Sequence, residues 1–298
     1  MINMIKELVI SLRPRLWYKN LILFIGLIFS LNLFDISMLL NAFYSFVIFC
    51  FISGSGYIVN DVIDKKSDKK HPENCKRPIA SGRLNIIPAM IFAIILILVN
   101  LGFSYFISIK FLLITFAYLF LTLLYSLFLK KIAIIDVMTI SIGFVLRTIA
   151  GCFAINVFVS PWLIVSSFLL ALFLALGKRR YELISLKEKS SRSSMKNYSV
   201  YVIDQMINVT STALIISYSL YTFLTQHYYL MITIPISIYG IFRYLFLTLE
   251  KNIGGSPELM FKDKPMLLCI LLWIIIVILL LYKPIEISLL LQTLGFRQ

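Results

Sequence analysis

The chain has 298 residues, 60% of them hydrophobic and only 14% charged, with 28 Lys and Arg against 14 Asp and Glu for a formal net charge of +14. A soluble domain carries about 25% charged residues, so a water-soluble fold of this size is excluded. The apolar residues run on without strand-like alternation, which also excludes a transmembrane β-barrel.

The N-terminal residues 1–19 read as an interfacial amphipathic segment ending in Arg13-Pro14-Arg15-Leu16-Trp17-Tyr18-Lys19, with Trp17 and Tyr18 at headgroup level. No cleavable signal peptide is expected, because no small-residue cleavage site follows the first apolar run. A spanning helix needs roughly 20 mostly apolar residues. Nine spans are predicted, at about 20–34, 39–60, 86–107, 111–129, 134–155, 161–177, 206–225, 230–249 and 266–282. The first is short and needs its flanks, and Pro235 is expected to kink the eighth. The fold class is therefore all-α integral membrane, a single domain over residues 1–298.

Charge orients the spans. On the side of the N-terminus lie 24 of the 28 basic residues, and cytoplasmic loops are the ones enriched in Lys and Arg. The N-terminus is thus expected inside and the C-terminus outside, and no nucleic-acid partner is expected. Twelve of the 14 acidic residues fall on or near the same face. Topology needs only positive charge, so these acids point to a metal- and phosphate-handling site there.

The second span runs into Asn60-Asp61-Val62-Ile63-Asp64-Lys65-Lys66-Ser67-Asp68 and on to Lys76-Arg77-Pro78. On a helix Asp61, Asp64 and Asp68 share one face, with Asn60 joined to Asp64 at i+4. Hard oxygen donors so arranged suit Mg²⁺ completed by substrate phosphates. Lys76 and Arg77 add cations for the remaining phosphate charge. Residues 61–85 and 178–204 are accordingly read as cytoplasmic active-site loops. Gly54 and Gly56, one helix earlier, read as sites of close helix packing.

The motif N-D-x-x-D-x-x-x-D after the second helix, the downstream Arg77-Pro78, and Tyr125-Ser126 with Lys130 closing the fourth helix resemble the UbiA superfamily of intramembrane prenyltransferases. The resemblance implies a bundle of about nine transmembrane helices around a central cavity, with Mg²⁺ held against a diphosphate by Asn60, Asp61, Asp64 and Asp68. It also implies roles for Lys19, Lys130 and Tyr125 in the site.

Members of that family usually carry a second aspartate-rich motif after the sixth helix. Here that position reads Gly177-Lys178-Arg179-Arg180-Tyr181-Glu182. Three cations suit a phosphate that brings no metal of its own, and Glu182, at i+4 from Lys178, is expected to orient that lysine. This segment is similar to the decaprenyl-phosphate phosphoribosyltransferase branch of the superfamily. So are Arg13-Pro14, Gly143-Phe144-Val145-Leu146-Arg147, Ser160-Pro161-Trp162, Phe242-Arg243-Tyr244 and Gly254-Gly255-Ser256-Pro257-Glu258 with Asp263. The branch implies 5-phosphoribosyl 1-diphosphate as donor and a polyprenyl phosphate as acceptor, with membrane lipids around them. Arg147, a cation inside a span, is expected to line the site because such charges usually face a cavity. Asp136 reads equally as a helix N-terminal charge or a site residue. The Ser190–Ser194 stretch reads as a flexible loop. Two other readings stay open: a prenyltransferase acting on an aromatic acceptor, and a transporter.

Overall fold

A computed structural model describes residues 2–186, 198–224, 228–250 and 262–282. The Ser190–Ser194 stretch and the Gly254–Glu258 segment lie outside these residues. Among the described residues eight helices are long and apolar enough to cross a membrane: Ile36–Ile63, Ile86–Ile107, Ile109–Leu127, Ile135–Ala154, Pro161–Ser185, Val200–Leu224, Tyr228–Leu249 and Lys264–Tyr282. Beyond them, the N-terminal helix α1 covers Ile2–Ser11, and a 3-10 segment, Pro14–Phe24, leads into a short helix α2, Ile25–Phe29.

The stretch expected as the first span thus takes an unexpected form. Pro14 opens it, and Asn20, 1% exposed, is tied sideways through its amide to Ser53 and Cys50. Leu31, at φ 63, and the bond from Asn32 to the Ser30 carbonyl close it. A 3-10 helix rises about 2.0 Å per residue against 1.5 Å for an α-helix. Pro14–Phe29 therefore reaches roughly 30 Å, close to the hydrocarbon thickness of a bilayer. None of the eight helices long and apolar enough to cross a membrane covers the stretch expected as the first span.

The chain divides into two compact units, residues 1–171 with 186–199, and residues 172–185 with 200–298. In the first, α3 (Ile36–Ile63) packs against α5 (Ile86–Ile107), α6 (Ile109–Leu127), α7 (Ile135–Ala154) and the 3-10 segment. Asp35 caps α3 by accepting from the Met38 amide at 2.9 Å. One apolar core gathers Leu23, Ile48, Phe49, Ile52, Phe111 and Tyr118. A second gathers Leu8, Leu12, Ile58, Ile79, Leu84 and Ala89, with Trp17 packed against it. Trp17 meets Phe51 edge-on at 5.7 Å, so its ring serves this core. A Cβ on Gly54 would come within 2.8 Å of Leu12, and one on Gly56 within 3.0 Å of Thr122. Both glycines do permit close packing.

In the second unit α10 (Ile234–Leu249) packs on α11 (Lys264–Tyr282) and α9 (Val200–Leu224). Pro235 lies in the first turn of α10, after a 3-10 turn over Tyr228–Thr233. A first-turn proline has no helical N–H bond to break, so it starts this helix and does not kink it. Arg243 holds Asp263 through two bonds, 3.0 and 2.8 Å, while the same carboxylate accepts from the Met266 amide and caps α11.

Candidate active site

The acidic motif is built by the end of α3. The Asp64 amide donates to the Asn60 carbonyl at 2.9 Å, and the Asp68 amide to the Asp64 carbonyl at 2.8 Å. These i+4 bonds flank a break at Asp64 itself, at φ −88, ψ 2, between α3 and the short helix α4, Lys65–Asp68. Asp61 is 2% exposed and Asp68 3%. Buried carboxylates at this spacing require compensation, and three cations from elsewhere in the unit provide it.

Arg77 reaches them because Pro78 follows it. A residue before proline is driven into extended backbone, and Arg77 lies at φ −63, ψ 145. Its Nη1 donates to Asp68 Oδ2 at 2.6 Å and to Asp61 Oδ1 at 3.1 Å. Asn74 donates to Asp68 Oδ1 at 3.0 Å. Lys130, in the short turn that follows α6 and 8% exposed, donates to Asp64 Oδ1 at 2.6 Å and to Asn60 Oδ1 at 3.1 Å. Arg13, at the cap of the 3-10 segment, donates to Asp61 Oδ1 and lies over the Tyr57 ring at 4.9 Å. Desolvation lowers the Arg13 pKa, and Asp61 opposes that shift.

The loop behind Arg77 is itself tied down. Arg83 donates to the Lys76 carbonyl at 2.6 Å, to Ser81, and to Glu7 of α1 at 3.2 Å. Gly82 takes φ 82, a turn conformation that suits glycine. Lys76 itself is exposed.

Of the residues expected from sequence, the first unit brings Asn60, Asp61, Asp64, Asp68, Arg77 and Lys130 together. Lys19 and Tyr125 are half-buried. Arg147 is 6% exposed and sits in a separate polar knot. It donates to Asn20 Oδ1 at 2.9 Å, to the Gly143 carbonyl at 3.2 Å and to the Tyr118 hydroxyl at 2.6 Å. It also stacks on Tyr118 and Phe144. Asp136, in the first turn of α7, is fully buried. It accepts from the Tyr198 hydroxyl at 2.9 Å, and the Tyr198 oxygen accepts from the Ile134 amide.

Among the described residues no group of three His, Cys, Asp or Glu side chains forms a ligand cluster. The donor set nonetheless fits a hard divalent ion. The Lys130 ammonium already bridges the Asn60 and Asp64 oxygens, two donors converging on one cationic group. Oδ2 of Asp61 and of Asp64 have no partner among the described residues, whereas both oxygens of Asp68 are engaged, by Arg77 and Asn74.

In the second unit, Gly177 lets α8 (Pro161–Leu186) approach Tyr244, whose hydroxyl a Cβ there would strike. Phe173 meets the same ring at 4.8 Å. Arg179, 2% exposed, donates to Glu182 at 2.6 Å. Arg180 donates to Asp204 at 2.7 Å and to the Thr248 carbonyl at 3.0 Å. Lys178 is half-buried. Arg179 and Arg180 are thus engaged by acids. Asp204 and Asn74 escaped the sequence reading, because a lone polar residue far from a motif gives no spacing signal. Arg13 stood in a segment of resemblance, but nothing local tied it to Asp61.

Residues 21–268 match the profile of the UbiA prenyltransferase family. The chain is 30% identical over 295 residues to a decaprenyl-phosphate phosphoribosyltransferase of Corynebacterium glutamicum, covering 94% of this chain and 88% of that protein. A protein of the same name from Mycolicibacterium smegmatis is 28% identical, covering 91% of each. Among solved structures, a UbiA homolog from Archaeoglobus fulgidus bound to DMAPP and Mg²⁺ superposes with a TM-score of 0.73 at 17% identity, over 93% of this chain and 99% of that one.

Proposed function

Because the chain belongs to the UbiA prenyltransferase family, a multi-pass membrane transferase, we propose that it moves the 5-phosphoribosyl group from 5-phosphoribosyl 1-diphosphate to a polyprenyl phosphate, releasing diphosphate. One observation carries the reading. Where the family resemblance leads to a second metal-binding acidic motif, this chain has Lys178, Arg179 and Arg180, donors suited to a phosphate without metal. The names of its relatives in Corynebacterium and Mycolicibacterium support the same substrate pair.

In this reading Asp61 and Asp64, with Asn60, hold Mg²⁺ and the donor's diphosphate. When bound, Mg²⁺ supplies a hard cation that offsets charge growing on the departing diphosphate. Arg77 and Lys130 place fixed positive charge at the same group, and Asp68 holds Arg77 in position. The C1–oxygen bond to diphosphate breaks with its electron pair, and a phosphate oxygen of the lipid forms the new bond to C1. That oxygen is already anionic, so no strong base is needed, and rate enhancement comes from positioning and electrostatics. Lys178, Arg179 and Arg180 are proposed to bind a substrate phosphate, and Lys19, Lys76, Tyr125 and Arg147 to contribute further contacts. The N-terminus and the acidic cluster face the cytoplasm of a bacterial-type plasma membrane.

The test incubates purified protein with Mg²⁺, labelled 5-phosphoribosyl 1-diphosphate and polyprenyl phosphate. Label should enter the lipid phase and stop doing so with EDTA. Lipid-phase label that persists in EDTA overturns the metal role. No ribosyl transfer, but prenylation of an aromatic acceptor from a prenyl diphosphate, overturns the donor.

A further inference from the structure

We propose that Arg13 is a positioning residue of the acidic cluster: it fixes Asp61 from outside the motif, so that Asp61 Oδ2 stays available to metal and diphosphate. The inference rests on the proposed role of Asp61 and deepens it. Two independent features point to Arg13. Its backbone lies at φ 53, ψ 61, the left-handed region, where non-glycine residues are uncommon and strained. It also precedes Pro14, a position that favours extended backbone. A strained conformation persists only where the surroundings over-determine it, and here the side chain has two well-defined anchors. One is Asp61, 48 residues away, and the other is the face of Tyr57.

Arg13 and Arg77 converge on the same atom, Asp61 Oδ1. Two guanidinium groups on one oxygen fix the carboxylate plane and leave the other oxygen clear. Arg77 is additionally committed to Asp68, so Arg13 is the cation devoted to Asp61. A tether for the N-terminal segment would not need a guanidinium. That segment is already held by Leu8 and Leu12 in the apolar core and by Glu7 on Arg83.

Arg13→Gly and Arg13→Lys separate the possibilities. Glycine adopts the left-handed backbone without strain, so R13G loses stability only through the missing Arg13–Asp61 pair, which Arg77 partly compensates. Binding of Mn²⁺ with inorganic diphosphate, read by the paramagnetic resonance of bound Mn²⁺ in detergent, should weaken about 10–100-fold, as for other groups that orient metal ligands. R13K keeps the charge but loses the flat, stacking fork, and should weaken binding nearly as much. R13K binding as tightly as wild type would reduce the effect to charge and overturn the proposal. So would R13G binding like wild type, or wild type binding no Mn²⁺ with diphosphate. If R13G melts early, R13K decides. The probe contains neither ribose nor lipid, so a failure of phosphoribosyl transfer leaves this outcome readable.

Discussion

The acidic cluster of the first unit and the basic segment of the second handle charge in opposite ways. Asp61, Asp64 and Asp68 come from one short stretch, and their cations come from far away: Arg13 from the N-terminus, Arg77 from the following loop and Lys130 from the end of α6. Arg179 instead finds Glu182 three residues along its own helix, and Arg180 finds Asp204 and a backbone carbonyl on neighbouring elements. Acids stapled by remote cations make the site depend on tertiary structure, whereas the basic segment is partly satisfied by local helical geometry. The comparison teaches that equal charge density does not mean equal availability. Among the described residues Asp61 and Asp64 each keep an oxygen open, while Arg179 and Arg180 serve protein carboxylates.

The sharpest way to break that comparison is within the acids. Asp61→Asn and Asp64→Asn should each lower transfer by about 10²–10³-fold or more, the range for losing one preorganised electrostatic group, with the helical fold retained. Asp68→Asn should fall much less, because both its oxygens already serve Arg77 and Asn74. Equal losses at all three positions would show that Asp68 is also a direct ligand.

The basic segment offers the next contrast. Arg180→Gln leaves Asp204 without its cation. Breaking a fully buried pair costs about 3–5 kcal/mol, but Asp204 is 30% exposed, so a loss of roughly 1–2 kcal/mol is expected in thermal unfolding. Lys178→Gln should raise the KM of the phosphorylated substrate. A destabilised K178Q with normal KM would assign Lys178 to structure. Gly177→Ala should leave the acidic cluster untouched but lower the melting temperature, because a methyl group there would strike the Tyr244 hydroxyl and fall 3.0 Å from its ring. Overpacking of this kind costs about 1–3 kcal/mol.

Much of this protein was legible in the chain. Long apolar runs make spanning helices obligatory, because backbone polar groups in lipid must be satisfied within the segment, and eight of these helices stand near their expected positions. The i, i+3 and i+7 spacing of the three aspartates was legible, but not the break in the helix at Asp64. Periodicity could not reveal that the chain ahead of α3 is wound as a 3-10 segment over Pro14–Phe24. That winding is held by Asn20, bonded to Ser53 and Arg147, a contact made across 127 residues on one side. Nor could spacing join Arg13 or Lys130 to particular aspartates. The sequence by itself determined which residues form helices and which carry charge, because both follow from local chemistry. Tertiary structure decided which charges meet, and so which oxygens remain open, because buried ion pairs depend on distances that only the packed helices set.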